Sequence, residues 1–305
     1  MPELPEVETV RRTLCPRVVG RRIRRVEILT PRQIYHPDPA TFAADLEGAV
    51  FDDIERRGKY LLFRLGPRIL VAHLRMSGHL YVCGPEAPRP RHLHVVFHLD
   101  DGGELRYADQ RKFGGFHLLG RGGEGMPPGL ANLGPEPLSP EFTPQVLAER
   151  LAGRHTSIKA ALLNQALVAG LGNIYADEAL FCARIHPARE AGSLTPAEVE
   201  RLHGCIRRVL LRAVERRGTT FSLYRDGEGN EGDMYDELQV FDRAGEPCPV
   251  CGTPIRKVAV AQRGTHFCPR CQPVPEGVAL SPRRARPGRR GNSVRVAAEP
   301  PGTYE

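Results

Sequence analysis

Several things are scarce in this chain of 305 residues, and each scarcity excludes something. No run of about 18 apolar residues occurs, so the sequence predicts no membrane-spanning helix. The N-terminus lacks the apolar segment of a secretory signal, which favours a cytoplasmic location. Lysine is scarce, because the chain has 39 arginines but only four lysines, Lys59, Lys112, Lys159 and Lys257. Because lysine can transfer a proton at working pH and arginine cannot, these four positions are candidates for functions that arginine cannot supply.

The charge that is present is basic, with a net value of +7. A basic surface suits a polyanion such as nucleic acid, although charge alone fits an ordinary solvated surface equally well. Residues 273–305 hold six arginines against three glutamates and are rich in proline and glycine, which predicts a disordered basic tail. Such a tail either adds salt-sensitive, non-specific affinity for DNA or is inert.

The first part of the chain has the pattern of a β domain. A short helix is predicted over 5–14, where Pro5 suits the first turn and apolar residues share one face. Short strand-like runs follow, separated by turn residues, and they predict a sandwich or barrel. The runs are RRVEIL, KYLLFRL, RILVAHL, HLHVVFHL, GELRYAD and GGFHLL.

Helical periodicity follows a proline- and glycine-rich boundary. The clearest helix begins at a Thr195 cap, with Glu198 completing a capping box, and stops at Gly218. Upstream, SIKAALLNQALVAGLGNIYADEALF predicts a helix, glycine turns and a second helix that opens with an Asn173 cap. The GLG lacks the third glycine and the preceding strand of a dinucleotide loop. A helix N-terminus is a suitable phosphate site, but helical hairpins are also common as pure packing units.

Four cysteines carry the strongest single motif, because their spacing is C-x2-C-x16-C-x2-C. They are Cys248, Cys251, Cys268 and Cys271. This spacing is typical of a structural Zn²⁺ held by four thiolates, and disulfides are disfavoured without an export signal. Nearby cations either offset the charge of this centre or, at a hairpin tip over 262–264, contact a phosphate; they are Arg256, Lys257, Arg263 and Arg270. The other cysteines, Cys15, Cys83, Cys182 and Cys205, are expected to be small packing residues.

The chain begins PELPEVETVRR after its first methionine, and removal of that methionine would leave Pro2 with a free secondary amine. An α-amino group titrates near pH ~8 and lysine near ~10.4, so the terminal amine is about a hundredfold richer in its neutral, nucleophilic form. Attack by Pro2 on a sugar C1′ would form an iminium ion, with Glu3 transferring protons. A terminus that only caps and packs a helix is an equal alternative from these residues alone.

Eight motifs occur in the order found in bacterial formamidopyrimidine-DNA glycosylases, which the chain resembles from Pro2 to about Cys271. They are PELPEVETVRR, RRGKYLL, HLRMSG, DQRKFGG, LGPEPL, GLGNIYADEALF, ELQVF and EPCPVCGTPI…AQRGTHFCPRC. Each motif is weak alone, but eight in register make the resemblance highly specific.

The resemblance implies catalytic roles at four matching positions. Pro2 would displace an oxidised purine and form a Schiff base with deoxyribose, and Glu3 would be the catalytic acid. Lys59 would donate a proton during β-elimination. Arg263 matches the residue credited with the δ-elimination proton, but because arginine holds its proton, phosphate anchoring and electrostatic stabilisation are the better expectation.

The resemblance also implies DNA contacts. Met76, Arg111 and Phe113 match three residues that fill the gap left by an extruded nucleotide, whose extrusion costs roughly a few kcal/mol. Without the resemblance, core packing is the simpler interpretation of Met76 and Phe113. The residues that match phosphate contacts are His92, Arg154, Lys159 and Asn173. A metal site at His92 and His94 is an alternative.

Together these observations predict a multidomain α+β protein. We expect an N-terminal catalytic β-sandwich headed by a helix, a linker, a helix-two-turn-helix domain with a mobile lesion loop over 218–237, a zinc-finger hairpin and a basic tail. Their expected ranges are 2–122, 123–143, 144–237, 238–272 and 273–305. Lys112 stands where arginine is usual in the family and is expected to keep a phosphate contact.

The predicted activity is that of a bifunctional DNA glycosylase and AP lyase, acting as a monomer on damaged double-stranded DNA. It would remove oxidised purines such as 8-oxoguanine, with one structural zinc and no redox cofactor, in the cytoplasm where the DNA lies. An endonuclease VIII-like enzyme for oxidised pyrimidines is the nearest alternative, against which Leu4 and the Met76–Arg111–Phe113 set argue. A non-catalytic zinc-ribbon protein is the alternative from another class, and it would form no covalent adduct with damaged DNA.

Overall fold

The computed structural model describes residues 2–120, 122–221, 223–275 and 281–282, and the rest of the predicted tail lies outside these residues. The described helices are α1 Leu4–Val18, α2 Pro39–Leu46, α3 Pro128–Ala131, α4 Pro144–Leu151, α5 Ile158–Leu163, α6 Asn173–Ala183 and α7 Pro196–Glu215, with short 3-10 turns at Pro31–Gln33, Ala191–Ser193 and Met234–Glu237. The described strands are β1 Ile23–Ile28, β2 Ile34–His36, β3 Asp53–Arg57, β4 Tyr60–Leu65, β5 Arg68–His73, β6 Gly78–Cys83, β7 Leu93–Leu99, β8 Glu104–Asp109, β9 Gly115–Leu119, β10 Arg256–Val260, β11 Arg263–Phe267 and β12 Ser281–Pro282. Of the helices described, none has the length and apolar character needed to cross a membrane.

Two β-sheets form the N-terminal part of the molecule. One has the strand order β1-β7-β8-β6 and the other β2-β9-β5-β4-β3. Neighbouring strands are antiparallel except for β2 and β9, which are parallel. Apolar side chains from both sheets fill one core, including Val26, Phe63, Leu70, Phe97 and Phe116. The predicted β-sandwich is therefore confirmed, and all six predicted runs form strands.

Three further strands and one helix of the sandwich escaped the sequence-based prediction. These are β2, β3, β6 and α2. In β3, whose sequence is DIERR, only Ile54 is buried, so the segment has too little apolar alternation to be recognised. Strand β6 begins within HLRMSG, a motif that we interpreted only as a source of DNA contacts.

Helix α1 is longer than predicted and contributes to two cores. Val7, Val10 and Leu14 are fully buried in the sandwich core. Leu4, one turn earlier, is fully buried in the core of the helical region. Because one helix belongs to both cores, the start of the chain is fixed at the junction between them.

The helical region contains both predicted hairpin helices and the predicted capping box of α7. Thr195 Oγ1 accepts a hydrogen bond from Glu198 N at 3.3 Å, and Glu198 Oε2 accepts one from Thr195 N at 2.8 Å. The prediction that Cys182 and Cys205 are only packing residues is wrong, because a disulfide joins them, with their Cα atoms 5.7 Å apart. Helices α6 and α7 pack side by side, which brings these two thiols together although they are distant in sequence.

The zinc-finger hairpin consists of β10 and β11, which pair antiparallel. Its two-residue turn is Ala261–Gln262, and both residues have positive φ, 49° and 60°, as a type I′ turn requires. The tip of the hairpin therefore lies at 261–262 and not at the predicted 262–264. Arg263 opens β11 opposite Val260 and lies directly beside the turn.

Candidate active site at the N-terminus

The first residues of the chain lie against the glycine turn that precedes α6. Leu4 N donates a hydrogen bond to Gly170 O at 3.0 Å. A Cβ on Gly170 would lie 2.7 Å from the Leu4 side chain, and one on Gly172 would lie 2.3 Å from the carboxyl carbon of Glu3. These glycines therefore allow the N-terminal segment to approach closely. The dinucleotide-loop interpretation does not hold.

Glu3 caps α6 from across the junction. Its Oε1 accepts from Ile174 N at 3.0 Å and its Oε2 from Tyr175 N at 3.4 Å, at the positive end of the helix. The predicted Asn173 cap is wrong, because Gly172 holds the N-cap position and Asn173 is the first helical residue. Glu3 is only 2% exposed, and this burial raises its pKa to about 7. A carboxyl group with that pKa is partly protonated at neutral pH, which suits a general acid.

Lys59 is the second titratable group of this junction. Its Nζ donates to Leu171 O at 2.8 Å, the one hydrogen-bond partner that it has among the described residues. Burial lowers the pKa of Lys59, while Glu3 and Glu6 act in the opposite direction. Burial thus shifts the Glu3 pKa upward and the Lys59 pKa downward, so the two groups become better matched for exchanging protons.

Glu6 connects the N-terminus to the segment that follows α7. Its Oε2 accepts from Glu3 N at 2.7 Å, and its Oε1 accepts from Thr219 N at 2.7 Å and from the Tyr175 hydroxyl at 2.5 Å. Gly218 has a φ of +81°, and a Cβ there would lie 2.7 Å from Glu6 Oε1. The backbone at Gly218 can therefore approach the carboxylate only without a side chain.

A small cavity of about 60 Å³ opens beside Pro2. Its lining includes Pro2, Glu6, Met76, Ile174, Thr219 and Tyr224. Pro2 itself is buried. At this volume the cavity is too small to hold a purine base.

Met76, Arg111 and Phe113 lie on two loops at one end of the sandwich. Met76 is 41% exposed and Phe113 is 53% exposed. The Arg111 guanidinium lies 4.9 Å from the centre of the Phe113 ring, a cation–π contact. Because the two apolar side chains are exposed, the core-packing alternative does not hold.

Lys159 does not fit its expected contact with a DNA phosphate. The residue is completely buried, and its Nζ donates to Asp177 Oδ1 at 2.6 Å, Thr265 Oγ1 at 2.8 Å and Gly264 O at 3.2 Å. Asp177 Oδ2 also accepts from His266 N at 2.8 Å. The ammonium group is therefore used inside the protein, where it joins α5 and α6 to the zinc-finger hairpin.

The other predicted phosphate contacts are more accessible. Arg154 and Arg263 are exposed, and His92 and Asn173 are partly exposed. Asn173 Nδ2 donates to Gly264 O at 3.0 Å, which links the start of α6 to the strand that carries Arg263. Both ring nitrogens of His94 are bonded within the protein, so the alternative metal site with His92 does not hold.

The four cysteines of the zinc motif are unoxidised and their sulfur atoms all lie within 4.8 Å of one another. The separation is 3.5 Å for Cys251 and Cys268, 3.6 Å for Cys251 and Cys271, and 3.9 Å for Cys248 and Cys271. Four sulfurs at about 2.3 Å from one tetrahedral ion lie roughly 3.8 Å apart, so the set fits Zn²⁺. Four protein ligands leave no open coordination position, so the ion is structural.

Some residues of this region were not singled out from the sequence. His73 faces a cavity of about 620 Å³ that Lys59, Arg75 and Gln165 also line. Burial lowers the pKa of His73 to about 3, so its ring is neutral, and its Nδ1 accepts from Arg75 N at 2.9 Å. His73 begins HLRMSG and could have been found there. Glu6 likewise lies within the first motif.

Comparisons with known proteins agree along most of the chain. Family models match as the formamidopyrimidine-DNA glycosylase N-terminal domain over residues 1–116, the H2TH domain of the same proteins over 133–225, and a zinc finger found in FPG and IleRS over 245–274. A formamidopyrimidine-DNA glycosylase of Geobacillus kaustophilus is 51% identical over 89% of this chain and all of its own length.

Solved structures give the same result. A Lactococcus lactis FPG mutant in complex with Fapy-dG-containing DNA is 42% identical, with a TM-score of 0.83 over 90% of this chain and all of that chain. A MutM complex with DNA containing carbocyclic 8-oxo-G has the same identity and coverage, with a TM-score of 0.82.

Proposed function

This chain belongs to the formamidopyrimidine-DNA glycosylase family, and on that basis we propose how its residues divide the work. The enzyme is a DNA glycosylase and AP lyase that removes oxidised purines from damaged double-stranded DNA in base excision repair. It holds one structural zinc ion at its cysteine cluster. We assign the nucleophile to Pro2, the acid to Glu3, and the groups that assist elimination to Lys59 and Arg263.

In the first step, the Pro2 nitrogen, freed by removal of Met1, attacks C1′ of the damaged nucleotide. The bond between C1′ and the base breaks, and the base leaves with the electron pair. Glu3, protonated in part because burial raises its pKa to about 7, supplies a proton as the sugar ring opens. The Pro2 nitrogen loses its own proton to the departing base. It forms the iminium ion when the ring oxygen O4′ takes the Glu3 proton and the ring opens, and this iminium ion then accepts electrons during elimination.

In the second step, β- and then δ-elimination release the 3′ and 5′ phosphates in turn. Lys59 is suited to shuttle a proton, because burial lowers its pKa and one short hydrogen bond orients its Nζ. Arg263 keeps its proton, so its role is to bind a phosphate and stabilise negative charge as it develops.

DNA binding uses exposed groups around this site. We assign Met76, Arg111 and Phe113, called the wedge residues below, to the gap that the extruded nucleotide leaves. Phosphate contacts are assigned to His92, Arg154 and Asn173. Lys159 is reassigned from phosphate binding to fastening the zinc-finger hairpin, because its ammonium is completely buried.

We propose the same division of the chain as the sequence predicts. A catalytic sandwich domain spans 2–122, a linker 123–143, a helical domain 144–237 and a zinc finger 238–272. The DNA duplex lies between the catalytic sandwich domain on one side and the helical domain with the zinc finger on the other. Pro2 then contacts the sugar, and Arg263 contacts a phosphate.

The observation that carries this proposal is the buried Glu3 carboxyl at the start of α6, next to Pro2. The test is borohydride trapping on a duplex with 8-oxoguanine opposite cytosine, followed by peptide mapping. We expect a stoichiometric adduct on Pro2 and none when the terminus is extended by one residue. The matched control is the same enzyme on undamaged duplex.

Two results would contradict the proposal. One is an adduct that maps to Lys59 or another lysine. The other is normal excision by the enzyme with an extended terminus. A parallel duplex with thymine glycol tests substrate preference, and we expect slower excision there than from 8-oxoguanine.

A further inference from the structure

The two loops that carry the wedge residues are joined by one buried carboxylate. Met76 precedes Ser77 on the loop between β5 and β6, and Arg111 and Phe113 follow β8. Asp109, the last residue of β8, is 1% exposed and lies between these loops. It is opposite Gly78 in the pairing of β6 with β8.

Both oxygens of Asp109 are fully used as acceptors. Oδ1 accepts from the Ser77 hydroxyl at 2.5 Å and from Arg111 N at 3.1 Å. Oδ2 accepts from Phe113 N at 2.9 Å and Gly114 N at 2.9 Å, with the Tyr107 hydroxyl at 3.2 Å. One side chain thus bonds to the backbone of two wedge residues and to the neighbour of the third.

Only an ionised carboxylate can accept all of these hydrogen bonds. An amide in its place would present an NH₂ group to donors, and at least one backbone N–H would lose its partner. Burial acts to raise the pKa of Asp109. Hydrogen bonds from Ser77, Gly114 and Arg111 together outweigh burial, so the pKa lies below its ordinary value. The group therefore stays charged and acceptor-only at neutral pH.

The backbone of Asp109 is held as well. His94 Nε2 lies 2.8 Å from Asp109 O and donates to it, and His94 Nδ1 accepts from the Thr30 hydroxyl at 2.9 Å. Lys112 N also donates to Asp109 O, at 3.2 Å. Lys112 has a φ of 58°, a left-handed conformation that a non-glycine residue holds only when its surroundings impose it.

Tyr35, in β2, bonds to the backbone of the same loop. The Tyr35 hydroxyl lies 3.0 Å from Phe113 O and 3.1 Å from Gly114 O, so it donates to these carbonyl groups. Gly114 has no room for a side chain, since a Cβ there would lie 2.2 Å from the Tyr107 hydroxyl. The backbone of this loop is therefore held by Tyr35 as well as by Asp109.

We infer that Asp109 is a positioning residue for damage recognition, holding the Met76 loop and the Arg111–Phe113 loop as one rigid unit that enters the duplex. This inference rests on the proposed role of the wedge residues. Rigidity matters because an insertion that replaces a base must offset the stacking lost on extrusion without first ordering its own loops. Asp109 itself touches no reacting atom.

The test compares two substrates of the full-length enzyme and its Asp109→Asn variant. One is duplex DNA with 8-oxoguanine opposite cytosine, whose excision requires extrusion. The other is single-stranded DNA with a preformed abasic site. Its cleavage needs Pro2 and Lys59 but no insertion of the wedge residues into a duplex. We expect excision from the duplex to fall about tenfold or more, while cleavage of the single strand changes less than about twofold.

Matched variants separate positioning from folding. Asp101→Asn, in the exposed turn between β7 and β8, should change neither activity. Leu105→Ala, in the core of β8, should lower stability and affect both substrates alike. If Asp109→Asn does not fold, the pair Tyr107→Phe and Tyr35→Phe carries the test, with a smaller loss expected again on the duplex alone.

Equal losses on both substrates, or none on the duplex, would overturn the inference. Alanine variants of Met76, Arg111 and Phe113 are measured in parallel. If these lose duplex excision but Asp109→Asn does not, only this inference fails. If they do not lose it either, the proposed role of the wedge fails first.

Discussion

Two buried lysines, one at the catalytic junction and one beneath the zinc-finger hairpin, occupy contrasting environments. Lys59 has a single described hydrogen-bond partner, Leu171 O, and lies beside a cavity. Lys159 is completely buried and donates to three oxygens, one of them on Asp177. Burial lowers the pKa of both lysines.

Burial and a shifted pKa therefore do not separate a catalytic lysine from a structural one. The number of free donors does, because a saturated ammonium has nothing left to offer a substrate. Both belong to the four lysines of a chain that has 39 arginines. From the sequence we expected proton transfer at Lys59 and a phosphate contact at Lys159. The structure shows the Lys159 ammonium bonded to three oxygens inside the protein, and proton transfer by Lys59 stays our proposal.

The largest effect is expected at the catalytic junction. Glu3→Gln should lower excision of 8-oxoguanine by about 10²–10⁴-fold, because the proton donor is lost. With a raised pKa of about 7, Glu3 is protonated below that pH, so the wild-type rate should fall as pH rises above it. Single-turnover excision against pH measures both, and a Glu3→Gln profile that keeps the same alkaline limb would contradict the assignment.

The next largest effect is expected at the buried ion pair of Lys159 and Asp177. Lys159→Met leaves Asp177 charged, buried and without its cation, which should lower the free energy of unfolding by about 3–5 kcal/mol. Urea denaturation measures it. Adding Asp177→Asn should recover much of the loss, since it removes the unpaired charge and its amide oxygen can still accept from His266 N. Lys59→Met serves as the comparison, and a greater loss of stability there would reverse our ranking.

A smaller loss of stability is expected when the disulfide between Cys182 and Cys205 is removed, a change that alters neither lysine. Replacing Cys182 and Cys205 with serine should lower the free energy of unfolding by up to about 3 kcal/mol. The disulfide closes a loop across 23 residues, and without it the unfolded chain regains conformational entropy. Excision should be unchanged. Cys15→Ser, at an unbonded cysteine, is the control. A loss of excision larger than that of folded protein would show that α6 must be tied to α7 for catalysis.

The smallest effect is expected at Glu8 of α1, whose pKa is lowered, whereas the pKa of Glu3, the residue just before α1, is raised. Burial acts to raise its pKa, but hydrogen bonds from Arg11 and Arg12 lower it more, to about 2. Its contribution is therefore present above the unfolded-state value of 4.5 and is lost as pH falls toward 2. Glu8→Gln should cost about 1–2 kcal/mol at pH 7 and less at pH 3, measured by urea denaturation at each pH. A constant cost would contradict this.

The fold was predictable where local signals were strong. The capping box at Thr195, the alternation in HLHVVFHL and the cysteine spacing each identify an element by themselves. Strand β3 was not predictable, because its one buried residue, Ile54, gives no alternation. The disulfide was not predictable either, since it depends on how α6 packs against α7.

The candidate site was predictable by residue type but not by contact. Pro2 and Glu3 were singled out from the chemistry of a chain terminus. No local pattern shows that Glu3 caps α6, because the partner N–H groups lie 171 residues away in the sequence. Asp109 stood inside a recognised motif, yet its function emerges only when two loops meet around it.

The buried position of Pro2 has a consequence for how the enzyme is made. If Pro2 is the nucleophile, an aminopeptidase must remove the preceding methionine before the enzyme can act. The N–H groups that receive Glu3 leave the ribosome 171 residues later. Removal of the methionine early in synthesis therefore precedes the docking of Glu3 against α6, and a chain that keeps the methionine would carry its reactive nitrogen in an amide.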